Sequence, residues 1–287
     1  MAQRIFILVI LILPVSGFCA DHEINWYHAN FPPMVIEKGD LKGKGFGEKF
    51  EKALQQKLAN YKHYVYSANY HRIIKQIKDS NSCCIALLKT PEREKFIKFS
   101  KPVLVSFPVG VCILESRLPE FMPYIDKSGK ISITKLFKIS NMKLGISAGR
   151  SYTATVDKII KNNPDSTHII TQYDNNIAWE SIIDMMDRER VDYIIEYPHL
   201  LTWTQNKHNI KSRLKYIPIK EIGPFLLTYV GCSKNEWGEK VISQIDQILK
   251  GKCRKQCNQD YRSYLAPDEK IRHSKLVQQM FPTELTD

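Results

Sequence analysis

Beyond its first twenty residues the chain has no apolar run near the roughly 18 residues that a membrane span needs, no internal repeat and no low-complexity tract. A Gly-x-Ser-x-Gly elbow, a His-Glu-x-x-His pair and a glycine-rich phosphate loop are all missing, as is a Cys–His pair in a recognisable setting. These absences argue against the common hydrolase, zincin and nucleotide-hydrolysing chemistries. Long basic runs are also lacking. Lys and Arg outnumber Asp and Glu by 42 to 30, for a net charge of +12, but the lysines are scattered and no nucleic-acid motif accompanies them. An excess of this size raises an anionic partner or an acidic membrane surface, but its scatter reads as an ordinary solvated surface; an anionic ligand stays open and no nucleic acid is expected.

What is there begins with an apolar segment, residues 5–15, preceded by Arg4 and followed by small residues. It reads as a signal peptide over 1–20, cleaved between 17 and 20, so the expected location is periplasmic. Cys19 does not make a lipobox, because bulky Phe18 stands where a small residue is needed. Six cysteines remain after export, and in an oxidising compartment an even number suggests disulfides, although spacing alone does not choose among the pairings. Cys253 and Cys257 are the best local guess. No histidine or second cysteine pair lies at a finger-like distance from them, so no metal is expected. Cys83 and Cys84 are adjacent on an expected strand and point opposite ways, so at most one is expected in the core.

Along the chain, short apolar runs alternate with amphipathic ones. Residues 23–27 read as a strand, followed by a loop in which Pro32 and Pro33 fix an extended turn. Phe50, Ala53, Leu54 and Leu58 recur at helical spacing; 61–66 is a second strand, 73–77 lies in a helix, and 83–88 is a buried strand without alternation. The same grammar restarts at 143–147, continues through a helix over 152–161, and reaches a strand at 191–195. Strand–helix alternation predicts α/β architecture with mostly parallel sheets. The chain passes between two lobes near 101–109 and again near 224–229, giving 21–107 with 229–287 as lobe 1 and 108–228 as lobe 2.

The most informative stretch is Thr90-Pro91-Glu92-Arg93 followed by Phe99-Ser100-Lys101-Pro102. Together with the early Phe31-Pro32-Pro33, the Gly45-Phe46 segment and the strand Val191-Asp192-Tyr193-Ile194-Ile195, it resembles, in order, the family 3 extracellular solute-binding proteins, which bind polar amino acids for import. The resemblance implies a type II periplasmic-binding-protein fold, two lobes joined by a two-strand hinge, clamping a small polar ligand such as an amino acid or related carboxylate. It implies no cofactor, a monomer, and an ABC permease or a membrane receptor as macromolecular partner.

By the same resemblance Arg93 forks onto the ligand carboxylate, a role that suits a planar guanidinium. Read without it, Arg93 is an exposed charge paired with Glu92 or Glu94. Thr90 either positions the ligand or caps the next helix. Phe31 and Tyr70 match positions that sandwich the ligand, or serve as core. Ser147, Gly149 and Ser151 resemble second-lobe carboxylate contacts at a helix N-terminus, with Arg150 in place of a small residue. Two departures bear on the ligand: Leu88 stands where the family has a hydroxyl residue, and Glu196 stands nearest the place of its ammonium-binding Asp. If Glu196 faces elsewhere, the ligand lacks an ammonium group. Catalysis is not expected and no catalytic residue is assigned. The alternatives are an enzyme on the same scaffold, like the cyclohexadienyl dehydratases, or a soluble sensor.

Overall fold

The computed structural model describes residues 22–139, 141–147, 151–162, 167–172, 178–207 and 212–282. The expected signal segment, Cys19, Gly149 and Arg150 lie outside the described residues. In chain order the strands are β1 (Glu23–His28), β2 (Lys62–Ser67), β3 (Ser82–Leu88), β4 (Ile97–Phe99), β5 (Leu104–Ser106), β6 (Gly110–Leu114), β7 (Leu144–Ser147), β8 (Ile169–Gln172), β9 (Tyr193–Glu196), β10 (Leu214–Pro218) and β11 (Leu226–Ser233). The helices are α1 (Phe46–Lys57), α2 (Tyr70–Asp79), α3 (Pro91–Glu94), α4 (Leu118–Phe121), α5 (Ile133–Ile139), α6 (Ala154–Lys161), α7 (Ala178–Asp187), α8 (Pro198–Lys207), α9 (Glu236–Ile248), α10 (Lys252–Ser263) and α11 (Pro267–Met280).

Two sheets result. One runs β2-β1-β3-β11-β4, with β5 also paired to β11; the other runs β10-β6-β9-β7-β8. β1 pairs with β2 and β3 in parallel, and β7 pairs with β8 and β9 in parallel. β11 is antiparallel to β3, β4 and β5, while β6 is antiparallel to β9 and β10. The sheets are therefore mixed: a parallel βαβ core in each is extended by antiparallel strands, because the chain crosses between them twice and returns reversed. The crossings are residues 107–109 between β5 and β6, and 219–225 between β10 and β11.

The first lobe shows how its sequence places its loops. α1 buries Phe46, Phe50 and Leu54 on one face, as their spacing requires. Its Glu48 carboxylate accepts from the backbone N–H groups of Gly45 at 2.9 Å and Ile36 at 3.0 Å, so one side chain ties the helix start to the preceding loop. Gly45 is required there: a Cβ would stand 2.3 Å from the Met34 carbonyl oxygen. The Phe31–Val35 segment is not extended, as the two prolines suggested. It closes as a tight turn in which Phe31 and Val35 exchange backbone hydrogen bonds of 3.0 Å around a cis Pro32–Pro33 bond.

Two cysteine expectations are corrected. Cys83 and Cys84 are both buried, because β3 has apolar cover on both faces and each cysteine joins a different core cluster. Cys83 is bonded to Cys232, which lies opposite it in register on β11, with Cα atoms 4.1 Å apart. Cys253 and Cys257 are free. They sit one turn apart on the same face of α10, where side chains run alongside one another rather than toward each other.

The strand before the first crossing is held from outside its sheet. Asn258 accepts from the Val105 N–H at 3.2 Å and donates to the Val103 carbonyl at 2.9 Å. His273 donates through Nε2 to the Val105 carbonyl at 2.8 Å, and the Phe107 N–H donates to the Tyr261 hydroxyl at 3.0 Å. Beyond the crossing, the Tyr216 hydroxyl donates to the Pro108 carbonyl at 3.0 Å. Helices α10 and α11 thus brace the hinge. No helix among the described residues is long and apolar enough to cross a membrane.

Candidate functional site

Ligands of open α/β sheets sit beyond the carboxyl ends of the parallel strands. The segments that follow β1, β3, β7 and β9 all contribute to one cavity of about 500 Å³ between the two sheets. Its first-lobe wall carries Phe31, Met34, Phe46, Tyr70, Leu88 and Arg93; its second-lobe wall carries Ser151, Tyr152, Tyr197 and His199; Leu226, Thr228 and Tyr261 close the hinge side. The volume suits a small organic molecule.

Arg93 is placed by α3, a single turn whose N-cap, Thr90, accepts from the Arg93 N–H at 3.3 Å. Its guanidinium donates to the Leu88 carbonyl at 2.8 Å. The flanking acids are committed elsewhere: Glu92 pairs with Lys95 at 2.7 Å and Glu94 with Lys89 at 2.8 Å. Arg93 therefore stands on the cavity wall rather than in a local ion pair. Thr90 caps the helix and is not among the lining residues. Tyr70 opens α2 and is 43% exposed as a residue, while its phenol is desolvated. That desolvation raises the phenol pKa, with Cys84 and Tyr197 adding to the effect and Arg93 pulling against it.

Phe31 bridges the lobes. Its ring meets Tyr197 edge-on at 5.9 Å between centroids and His199 at 6.1 Å, and Phe46 reaches His199 at 6.1 Å. The His199 imidazole is also 5.4 Å from Tyr197 and 5.2 Å from Tyr261. Buried among rings, it is held neutral, its pKa lowered by desolvation to about 3. Its Nδ1 has no hydrogen-bond partner among the described residues.

The second-lobe residues divide. Ser151 lies on the cavity wall, but its hydroxyl donates to Asp157 at 2.6 Å and the Tyr152 N–H donates to the same carboxylate at 2.9 Å, so Asp157 already occupies donors near the start of α6. The Ser147 N–H donates to the Tyr152 hydroxyl at 3.0 Å. Ser147 and Glu196, at the ends of β7 and β9, line a separate small void that shares Tyr152 with the main cavity. Glu196 is only 3% exposed, and its carboxylate accepts from the Tyr197 N–H at 3.0 Å. Of the residues expected from sequence, the cavity gathers Arg93, Phe31, Tyr70 and Ser151; Thr90, Ser147 and Glu196 sit off its wall, and Gly149 and Arg150 are outside the described residues.

Sequence reasoning missed Tyr152, Tyr197, His199 and Tyr261. The position of Tyr197 and His199 just beyond a strand end was the available signal for two of them. Tyr261 arrives from a C-terminal helix far away in the chain, and nothing local announces it.

No family model matches the chain, and no curated protein matches it. Solved structures do. The extracellular-binding protein of a probable amino-acid ABC transporter from Bacillus subtilis is 18% identical over 86% of this chain and 98% of its own, with a TM-score of 0.59. A putative L-cystine ABC transporter from Listeria monocytogenes is 17% identical over 86% and 96%, at 0.59. A periplasmic domain of BvgS from Bordetella pertussis is 13% identical over 85% and 94%, at 0.56. At such identities the likeness speaks for the fold. The chain has the two-lobed type II periplasmic-binding-protein fold, and solved structures it resembles include substrate-binding domains of amino-acid transporters and a histidine kinase sensor domain.

Proposed function

We propose that this chain is an exported solute-binding protein of the family 3 type that clamps a small carboxylate-bearing ligand between its lobes and releases it unchanged. The observation that carries the reading is the placement of Arg93. Its acidic neighbours are taken by lysines, and it shares one cavity with second-lobe residues, so a ligand fork and a closing lobe stand on the same volume. Export is supported by the apolar N-terminal segment and by the Cys83–Cys232 bond, which suits an oxidising compartment. The solved structures of transporter binding proteins favour delivery to an ABC permease; likeness to a histidine kinase sensor domain keeps a membrane receptor as the alternative recipient. Native mass spectrometry of protein purified from the exported fraction tests the reading. A retained small molecule, recovered chemically unchanged after incubation, is the expected result; a converted product would make the chain an enzyme.

A further inference from the structure

Resting on that reading of the cavity, we propose that the ligand is an anion with an aromatic or branched apolar body and no ammonium group, of the aryl- or alkyl-oxoacid class. Among the described residues the charge on the cavity wall is one-sided. Arg93 faces it with Glu92 and Glu94 withdrawn to Lys95 and Lys89, and among the described residues no carboxylate lines it. Among the described residues, the two second-lobe carboxylates that adjoin wall residues are engaged elsewhere. Glu196 lines a separate small void beside Tyr152 and accepts from the Tyr197 N–H. Asp157 accepts from Ser151 and Tyr152. An ammonium entering here would be desolvated next to a guanidinium, with like charge facing it and no anion on the wall among the described residues.

The rest of the wall is built for carbon. Phe31, Tyr70, Leu88 and Leu226 present apolar surface from the first lobe and hinge, and Tyr197 faces them from the second. Leu88 and Arg93 sit together, so the carboxylate end and the start of an apolar body are recognised side by side. His199 adds a polar contact without adding charge. Its imidazole is 5% exposed and neutral, with Nδ1 unpartnered among the described residues, and it offers one acceptor and one donor to a keto or hydroxyl oxygen. An oxoacid carries both the carboxylate and the oxygen that these two groups would take.

Calorimetry with matched pairs tests the proposal on ligand-stripped protein at neutral pH: phenylpyruvate against L-phenylalanine, indolepyruvate against L-tryptophan, and the leucine oxoacid against L-leucine. The expected result is that at least one oxoacid binds, at least tenfold more tightly than its amino acid, and that Arg93→Ala removes the binding. An amino acid that matches or exceeds its oxoacid overturns the proposal and leaves the clamp intact, since a ligand is still bound. Failure of every pair to bind also overturns it; the clamp reading then stands or falls separately, on whether native mass spectrometry finds a retained small molecule.

Discussion

Phe31 and Tyr197 belong to different lobes and meet edge to face, with ring planes at 89° and centroids 5.9 Å apart. The pair forms only while the lobes are together, so it biases their separation. Such a contact contributes about 0.5–1.5 kcal/mol beyond the area it buries. Phe31→Ala should therefore widen the cleft in ligand-free protein, read as a larger radius of gyration by small-angle scattering. It should also weaken ligand binding by about 2- to 12-fold. An unchanged radius would show that the ring pair does not hold the lobes.

Arg93→Ala should weaken ligand binding by at least about thirtyfold, the loss of about 2 kcal/mol or more expected when one partner of a buried charge pair is removed. Its internal bond to the Leu88 carbonyl is at the exposed end of β3, so the melting temperature should move by no more than about 1–2 °C. Arg93→Lys should recover only part of the affinity, since an ammonium does not reproduce the fork. A wild-type affinity in the alanine variant, measured by calorimetry, would remove Arg93 from the site.

Reduction should destabilise the protein substantially. The Cys83–Cys232 bond closes a separation of 149 residues, which the chain-entropy model values at about 5 kcal/mol, an upper guide. A fall in melting temperature on the order of 10 °C in reductant is expected. Peptide mapping without reduction should recover the 83–232 pair, with Cys253 and Cys257 alkylated only after unfolding. A 253–257 bridge in that map would contradict the structure.

Acid should unfold the protein through two histidines. Desolvation lowers the folded-state pKa of His199 to about 3 and of His273 to about 4, against an ordinary value of 6.5. Both are neutral when folded and bind protons when unfolded. Their contribution is therefore intact above pH 6.5 and is lost as pH falls toward those values, at about 1.4 kcal/mol per histidine per pH unit. His28 runs the other way. Burial pulls its pKa down, but Glu51, Glu48 and Glu37 together more than offset this and raise it, so its share is present below 6.5 and fades as pH rises. Urea midpoints between pH 7 and 4.5 should fall, and His199→Phe should flatten the slope. An unaltered slope in that variant would assign the acid sensitivity elsewhere.

The alternation of strands and helices was legible because each element carries its own periodicity in a short window. Phe31, Tyr70 and Arg93 were legible from the order of family-like motifs rather than from periodicity, and all three line the cavity. The cysteines were not. Spacing favoured Cys253 with Cys257, whereas the bond forms between strands 149 residues apart, where register rather than spacing decides. Glu196 shows a subtler limit. Its place at the end of β9 could be read, but the turn into α8 sends Tyr197 and His199 to the cavity and leaves the carboxylate capping a backbone N–H behind them. The direction of a side chain at a strand end depends on what the next turn does, and that is settled by packing against the other lobe.

β5 pairs with β11 along one side. On its other side, where a free row of backbone groups would template another chain, Asn258, Tyr261 and His273 supply the donors and acceptors that a further strand would bring. Side chains on two helices thus act as a counterfeit strand. Before its sheet order is complete a chain can pair with other unfolded chains: here the edge next to the hinge is sealed against such pairing as soon as α10 and α11 dock.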